Sequence, residues 1–69
     1  MEIESEMTGS LWKVLVETGG SVEVGQAIAI LESMKMEIPV LAPVSGKIVE
    51  WRVVESASVQ VGDVIAVVD

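Results

Sequence analysis

Cysteine, histidine, phenylalanine and tyrosine are all absent from this 69-residue chain. Without cysteine there is no disulfide framework and no thiolate nucleophile. Without histidine the commonest zinc ligand and the commonest general base are missing. The aspartates, Asp63 and Asp69, fall beside a glycine and at the C-terminus. No grouping of residues suited to catalysis is left, so an enzyme is the weakest of the available classes and a non-catalytic role is expected.

Positive charge is also scarce. Lys13, Lys35, Lys47 and Arg52 are scattered along the chain, and eleven acidic residues bring the formal net charge to −7. Phosphate backbones are bound by clustered cations, so no nucleic-acid partner is expected. The same acidity opposes an anionic membrane surface. The longest uninterrupted apolar runs, Ala27–Leu31 and Val64–Val68, are five residues each. A spanning helix needs about 20. The opening Met1-Glu2-Ile3-Glu4-Ser5-Glu6 lacks the basic n-region of a secretory signal. The default expectation is a cytoplasmic, monomeric domain with no membrane contact.

What the chain does contain is apolar and β-branched, with 51% hydrophobic residues. Gly9, Gly19-Gly20, Gly25, Pro39, Pro43, Gly46 and Gly62 divide it into short segments. Ser10–Glu17, Lys47–Glu55 and Val64–Val68 read as strands, and Ile3–Met7 as a weaker one. A chain of this length makes one domain, residues 1–69, with a core at the small end of what folds alone. Evenly spaced short strands suggest an all-β sandwich or small barrel.

The chain repeats itself at an offset of 37. Residues 9–32 fall on 46–69, with identity at Gly9/Gly46, Val16/Val53, Ser21/Ser58, Val22/Val59, Val24/Val61, Gly25/Gly62, Ile28/Ile65 and Ala29/Ala66. Trp12, Val14 and Val16 share a strand face at period two, as do Val49, Trp51 and Val53. The repeat thus predicts two matching apolar faces packed about a pseudo-twofold axis. Both tryptophans are expected to pack, although Trp12 also suits an exposed docking face. Gly25 and Gly62 are expected to supply positive φ in equivalent turns.

Ala27–Glu37 resists this reading, because AIAILESMKME consists largely of good helix formers and Pro39 would end a helix. Its repeat partner, Gly62–Asp69, is too short and too β-branched to be helical. Equivalent halves should share their structure. Ala27–Glu32 is therefore read as a strand, Ser33–Glu37 as a turn and Ile38–Leu41 as the return, making a hairpin over 33–41. Local chemistry argues against a tight turn, which normally takes Asn or Gly at positive φ.

Lys35 stands at the midpoint, with 34 residues on each side. A flexible amine at a hairpin tip is accessible to another enzyme. It acts as a nucleophile once that enzyme has activated it. Spacing alone equally fits a solvated lysine, with Met34 and Met36 as apolar filler and Glu32 and Glu37 as solvated neighbours.

The run Glu32-Ser33-Met34-Lys35-Met36-Glu37-Ile38-Pro39-Val40 closely resembles the attachment signature of biotinyl domains, in which Met-Lys-Met carries the modified lysine. The resemblance extends from about Met7 to Asp69. It includes Val22-Glu23-Val24-Gly25-Gln26, Ala42-Pro43-Val44-Ser45-Gly46 and Val59-Gln60-Val61-Gly62-Asp63. It implies a flattened β-barrel of two four-stranded antiparallel sheets with quasi-twofold symmetry, the lysine on a hairpin at one end. It further implies that a biotin protein ligase attaches biotin to Lys35 through biotinyl-AMP. Glu32, Ser33, Met34, Met36 and Glu37 would form the motif that the ligase recognises. A biotin carboxylase and a carboxyltransferase would be the partners between which the carrier shuttles a carboxyl group.

Lipoyl domains share this fold, and Glu32 and Ser33 are close to their usual residues, which keeps lipoate on Lys35 as an alternative. An unmodified β-barrel interaction module is the other. Small stand-alone biotin/lipoyl attachment proteins resemble the chain most, including Leu11-Trp12-Lys13-Val14. The Ala/Pro-rich linker and the thumb insertion of some longer carriers have no counterpart here, so a free-standing carrier or a trimmed domain is expected. Glu55-Ser56-Ala57 stands where the family tends to have a glycine, which leaves the form of that turn open.

Overall fold

Ala27–Leu31, the run with the most helical character, is extended. The computed structural model describes all residues from Met1 to Asp69, and they form eight strands and no helix. The strands are β1 (Glu2–Glu4), β2 (Gly9–Val14), β3 (Ser21–Val22), β4 (Ala27–Ser33), β5 (Met36–Leu41), β6 (Gly46–Trp51), β7 (Ser58–Val59) and β8 (Val64–Val68). Helix propensity loses at β4 because β2 and β5 pair with it on both sides, while Ile28, Ala29 and Leu31 enter the core. Cross-strand pairing and burial outweigh the few tenths of a kcal/mol per residue at stake in propensity.

Two four-stranded antiparallel sheets form, in the orders β1-β8-β6-β3 and β5-β4-β2-β7. Each holds two strands from either half of the chain, so neither half closes a sheet alone. The 37-residue offset holds in space and reaches further than the sequence identities do. Ser5 donates to the Asp63 carbonyl and accepts from Gly62 at 2.8 and 2.9 Å. Ala42 does the same with Gln26 and Gly25, at 2.8 Å in both cases. Residues 1–8 and 38–45 share no identical position, yet β1 stands against β8 as β5 stands against β4.

The core follows the same symmetry. Leu11 and Ile48, Val22 and Val59, Ile28 and Ile65, Ala29 and Ala66, and Leu31 and Val68 are equivalent pairs, and all are buried. This corrects the predicted face. The register of β2 on β4 shifts between Leu11 and Lys13, and that of β6 on β8 shifts between Ile48 and Glu50. Each shift is a β-bulge, in which an extra residue reverses the alternation of side chains. Leu11 and Ile48 therefore point inward, while Trp12 and Val49 are exposed. Beyond the bulge Val14, Val16, Trp51 and Val53 pack against the core as expected. Trp51 is half-buried and its indole N–H donates to the Val16 carbonyl at 2.9 Å.

β3 and β7 were not legible in the sequence, being two residues each and too short to show a period. They nevertheless close the sheets, β3 on β6 and β7 on β2. Gly25 and Gly62 take φ of 84° and 92°. The turn at Glu55-Ser56-Ala57 forms without its glycine. Ser56 adopts φ 76° where its equivalent Gly19 has φ 89°, and both donate backbone bonds of 2.6 Å, to Leu11 and Ile48 respectively. The Glu55 carboxylate adds a bond of its own by accepting from the Val14 N–H at 2.8 Å.

Candidate functional site

The β4–β5 hairpin carries the candidate residues. Its register runs Ile30↔Pro39, Leu31↔Ile38, Glu32↔Glu37 and Ser33↔Met36, which leaves Met34-Lys35 as a two-residue turn. The predicted five-residue turn, Ser33–Glu37, thus contracts to two, and β5 begins at Met36. Both turn residues have positive φ, 49° at Met34 and 67° at Lys35. This is the type I′ geometry whose twist matches the flanking strands. An L-residue in this region costs roughly 1–2 kcal/mol. Asn or Gly would reduce that cost, and neither is present. The turn closes because the strands behind it are anchored: Leu31 is fully buried on β4, and Ser33 Oγ donates to the Thr8 carbonyl at 2.9 Å. Strain held in place by surrounding structure is a recurring property of functional sites.

Lys35 is exposed and takes part in neither of the ion pairs, both of which belong to Arg52. Met34 is 92% exposed and Met36 61%, so neither is core filler. Two unbranched thioethers thus flank a free amine, making a soft apolar collar that can adapt to a partner's surface. Glu32 and Glu37 lie directly opposite each other on the outer face of the hairpin, exposed and without a cationic partner. Like charges so placed oppose pairing by a few tenths of a kcal/mol. The hairpin tip is thus held in a conformation that neither its turn residues nor its carboxylates favour. All six residues singled out from sequence (Glu32, Ser33, Met34, Lys35, Met36 and Glu37) come together here. Thr8 was missed: its role is a backbone acceptor, which leaves no mark on sequence.

The arrangement offers one accessible nucleophile on a rigid support. It contains no group of His, Cys, Asp and Glu residues able to hold a metal ion. The Lys35 amine is the group it offers for chemistry, and it can be acylated once activated.

Comparison with known proteins bears on what that amine receives. Residues 1–68 match the family model Biotin_lipoyl, described as "Biotin-requiring enzyme". The chain is 49% identical over 65 residues to the biotin/lipoyl attachment protein of Bacillus subtilis (strain 168), covering 94% of this chain and 89% of that one. It is 40% identical over 67 residues to the biotinylated protein TB7.3 homolog of Mycobacterium leprae (strain TN), covering 97% and 94%. The crystal structure of the Kluyveromyces lactis urea carboxylase superposes with a TM-score of 0.94 at 36% identity, over 100% of this chain and 6% of that one.

Proposed function

Since the chain belongs to the biotin/lipoyl attachment family, we propose that it is a biotin carboxyl carrier domain and that Lys35 is its attachment residue. The observation that carries this reading is the position of Lys35. It occupies an exposed type I′ turn between two exposed methionines, at the tip of a hairpin anchored by buried Leu31. The residues present fit a tethered group. The amine has no competing ion pair, and Lys35 and the methionines on either side of it are exposed.

Attachment is an acyl transfer. A biotin protein ligase presents biotinyl-AMP; the Lys35 amine attacks its carbonyl, an amide bond forms, AMP leaves, and the ligase accepts the released proton. Once attached, biotin supplies the ring nitrogen that carries a carboxyl group, chemistry that belongs to the cofactor. The protein's part is to hold the arm on a rigid barrel and expose it. Its partners would then be a biotin carboxylase and a carboxyltransferase. Tethering raises the effective concentration of the arm, so contacts with each enzyme can stay weak. The urea carboxylase that superposes on this chain supports that placement.

Co-expression with a biotin protein ligase, followed by a streptavidin blot of wild type beside Lys35→Ala, tests the reading. Signal in wild type alone is expected. Equal signal in both, or none in either, overturns it. Intact mass after treatment with a lipoate ligase separates the two cofactors: no mass increase is expected, and an increase would favour the lipoyl alternative.

A further inference from the structure

The pseudo-twofold provides an internal control for surface residues. Positions 37 apart have equivalent backbone, so a difference between their side chains is not imposed by the fold. The outer faces of the two sheets differ in this way. On the sheet holding β1 and β8, Arg52 pairs with Glu50 and reaches Glu2 at 3.6 Å, so that face carries a paired charge cluster. The equivalents of Arg52, Glu2 and Glu4 on the hairpin sheet are Leu15, Pro39 and Leu41, all exposed. Ile30, paired with both Lys13 and Pro39, lies between them and is only half-covered. Trp12, 42% exposed, replaces Val49, and the Lys13 ammonium sits 5.7 Å from its ring centroid. The bulge before Lys13 turns this indole onto the same outer face. The result is an outer face rich in apolar side chains, Leu15, Ile30, Pro39 and Leu41, with Trp12 and Lys13 beside Ile30, on the sheet that carries Lys35.

We propose that this face docks the enzyme that acylates Lys35, through an apolar patch of that enzyme edged with basic side chains. The proposal rests on the function given above. Reach identifies the occupant. The unmodified lysine has only its own four-carbon stem, so the loading enzyme must lie directly against the hairpin. Later partners are met through a long arm and need no such contact. Pro39 is four residues from Lys35, roughly 13 Å along an extended strand. A standard interface covers about 800 Å² per partner and so reaches well past it. Between the tip and the apolar surface lies the unpaired row of Glu32 and Glu37. That row, on a chain of net charge −7, calls for a cationic rim on the partner. Tryptophan is among the residues enriched at the energetic anchors of such contacts.

The test is steady-state biotinylation by a purified biotin protein ligase with carrier concentration varied. Trp12→Val combined with Leu41→Thr removes the surface without changing charge, and gives position 12 the residue its symmetry equivalent already has. Val49→Thr on the opposite sheet is the control. For the double variant KM should rise by about tenfold or more with kcat unchanged. The control should match wild type. A double variant that loads with wild-type KM overturns the docking while leaving the attachment function intact. A wild type that takes no biotin overturns both. Sedimentation showing wild-type dimers that the double variant lacks assigns the face to a second copy instead and also overturns the proposal.

Discussion

Replacing Met34-Lys35 by Asn-Gly should stabilise the domain, although it destroys the attachment site. Two L-residues with no special tolerance for positive φ occupy the turn, at 49° and 67°. Each costs roughly 1–2 kcal/mol relative to ordinary backbone. Glycine at the second position removes that cost but returns about 0.4–1 kcal/mol as extra freedom of the unfolded chain. Asparagine at the first removes part of it through local hydrogen bonding. Nothing is lost from packing, since both native side chains are exposed and Met34 is 92% so. The sum is a gain of about 1–2 kcal/mol, a rise of roughly 5–15 °C in Tm for a domain this size. Urea denaturation of unmodified protein measures it, followed by fluorescence of the half-buried Trp51. Lys35→Ala is the reference. Alanine takes the same φ penalty and the lysine side chain makes no ion pair, so its stability should stay within about 0.5 kcal/mol of wild type. An Asn-Gly variant no more stable than wild type would refute the claim that the turn is strained. A marked loss in Lys35→Ala would refute the claim that its side chain is free.

The second half of the chain offers a related test. Ser56→Gly should gain up to about 1 kcal/mol and Gly19→Ser should lose about as much, because the two share one positive-φ turn geometry and nothing lies within 4 Å of a Cβ at Gly19. Thermal melts of both variants check this, and equal effects of the same sign would contradict it. In the core, Leu11→Ala should cost about 2–5 kcal/mol, enough to unfold much of the population, whereas Trp12→Ala should cost under about 1. Denaturant midpoints decide between them, and the reverse order would mean that the bulge is misplaced.

Several levels of this protein were legible in its sequence. The absence of histidine and cysteine made a catalytic role the weakest expectation. The 37-residue repeat indicated two like halves and pointed to strands even where AIAILESMKME favoured a helix. Met34-Lys35-Met36 marked the attachment candidate through resemblance, since an exposed lysine has no signature of its own. Such features are local, or depend on like residues recurring at a fixed distance, and those are the quantities a sequence displays.

Tertiary structure alone decided the rest. Strict alternation put Trp12 in the core, but a bulge exists only as a mismatch between two paired strands, and it placed Leu11 there instead. β1 is the equivalent of β5 with no shared residue over that segment, because pairing with β8 or β4 is satisfied by backbone groups common to every sequence. The turn at Lys35 is closed from a distance as well. Its own residues disfavour positive φ, and burial of Leu31 and the Ser33–Thr8 bond hold the strands that force it. Sequence thus singled out the lysine, while long-range pairing raised it to an exposed tip that its neighbours in the chain would not have formed alone.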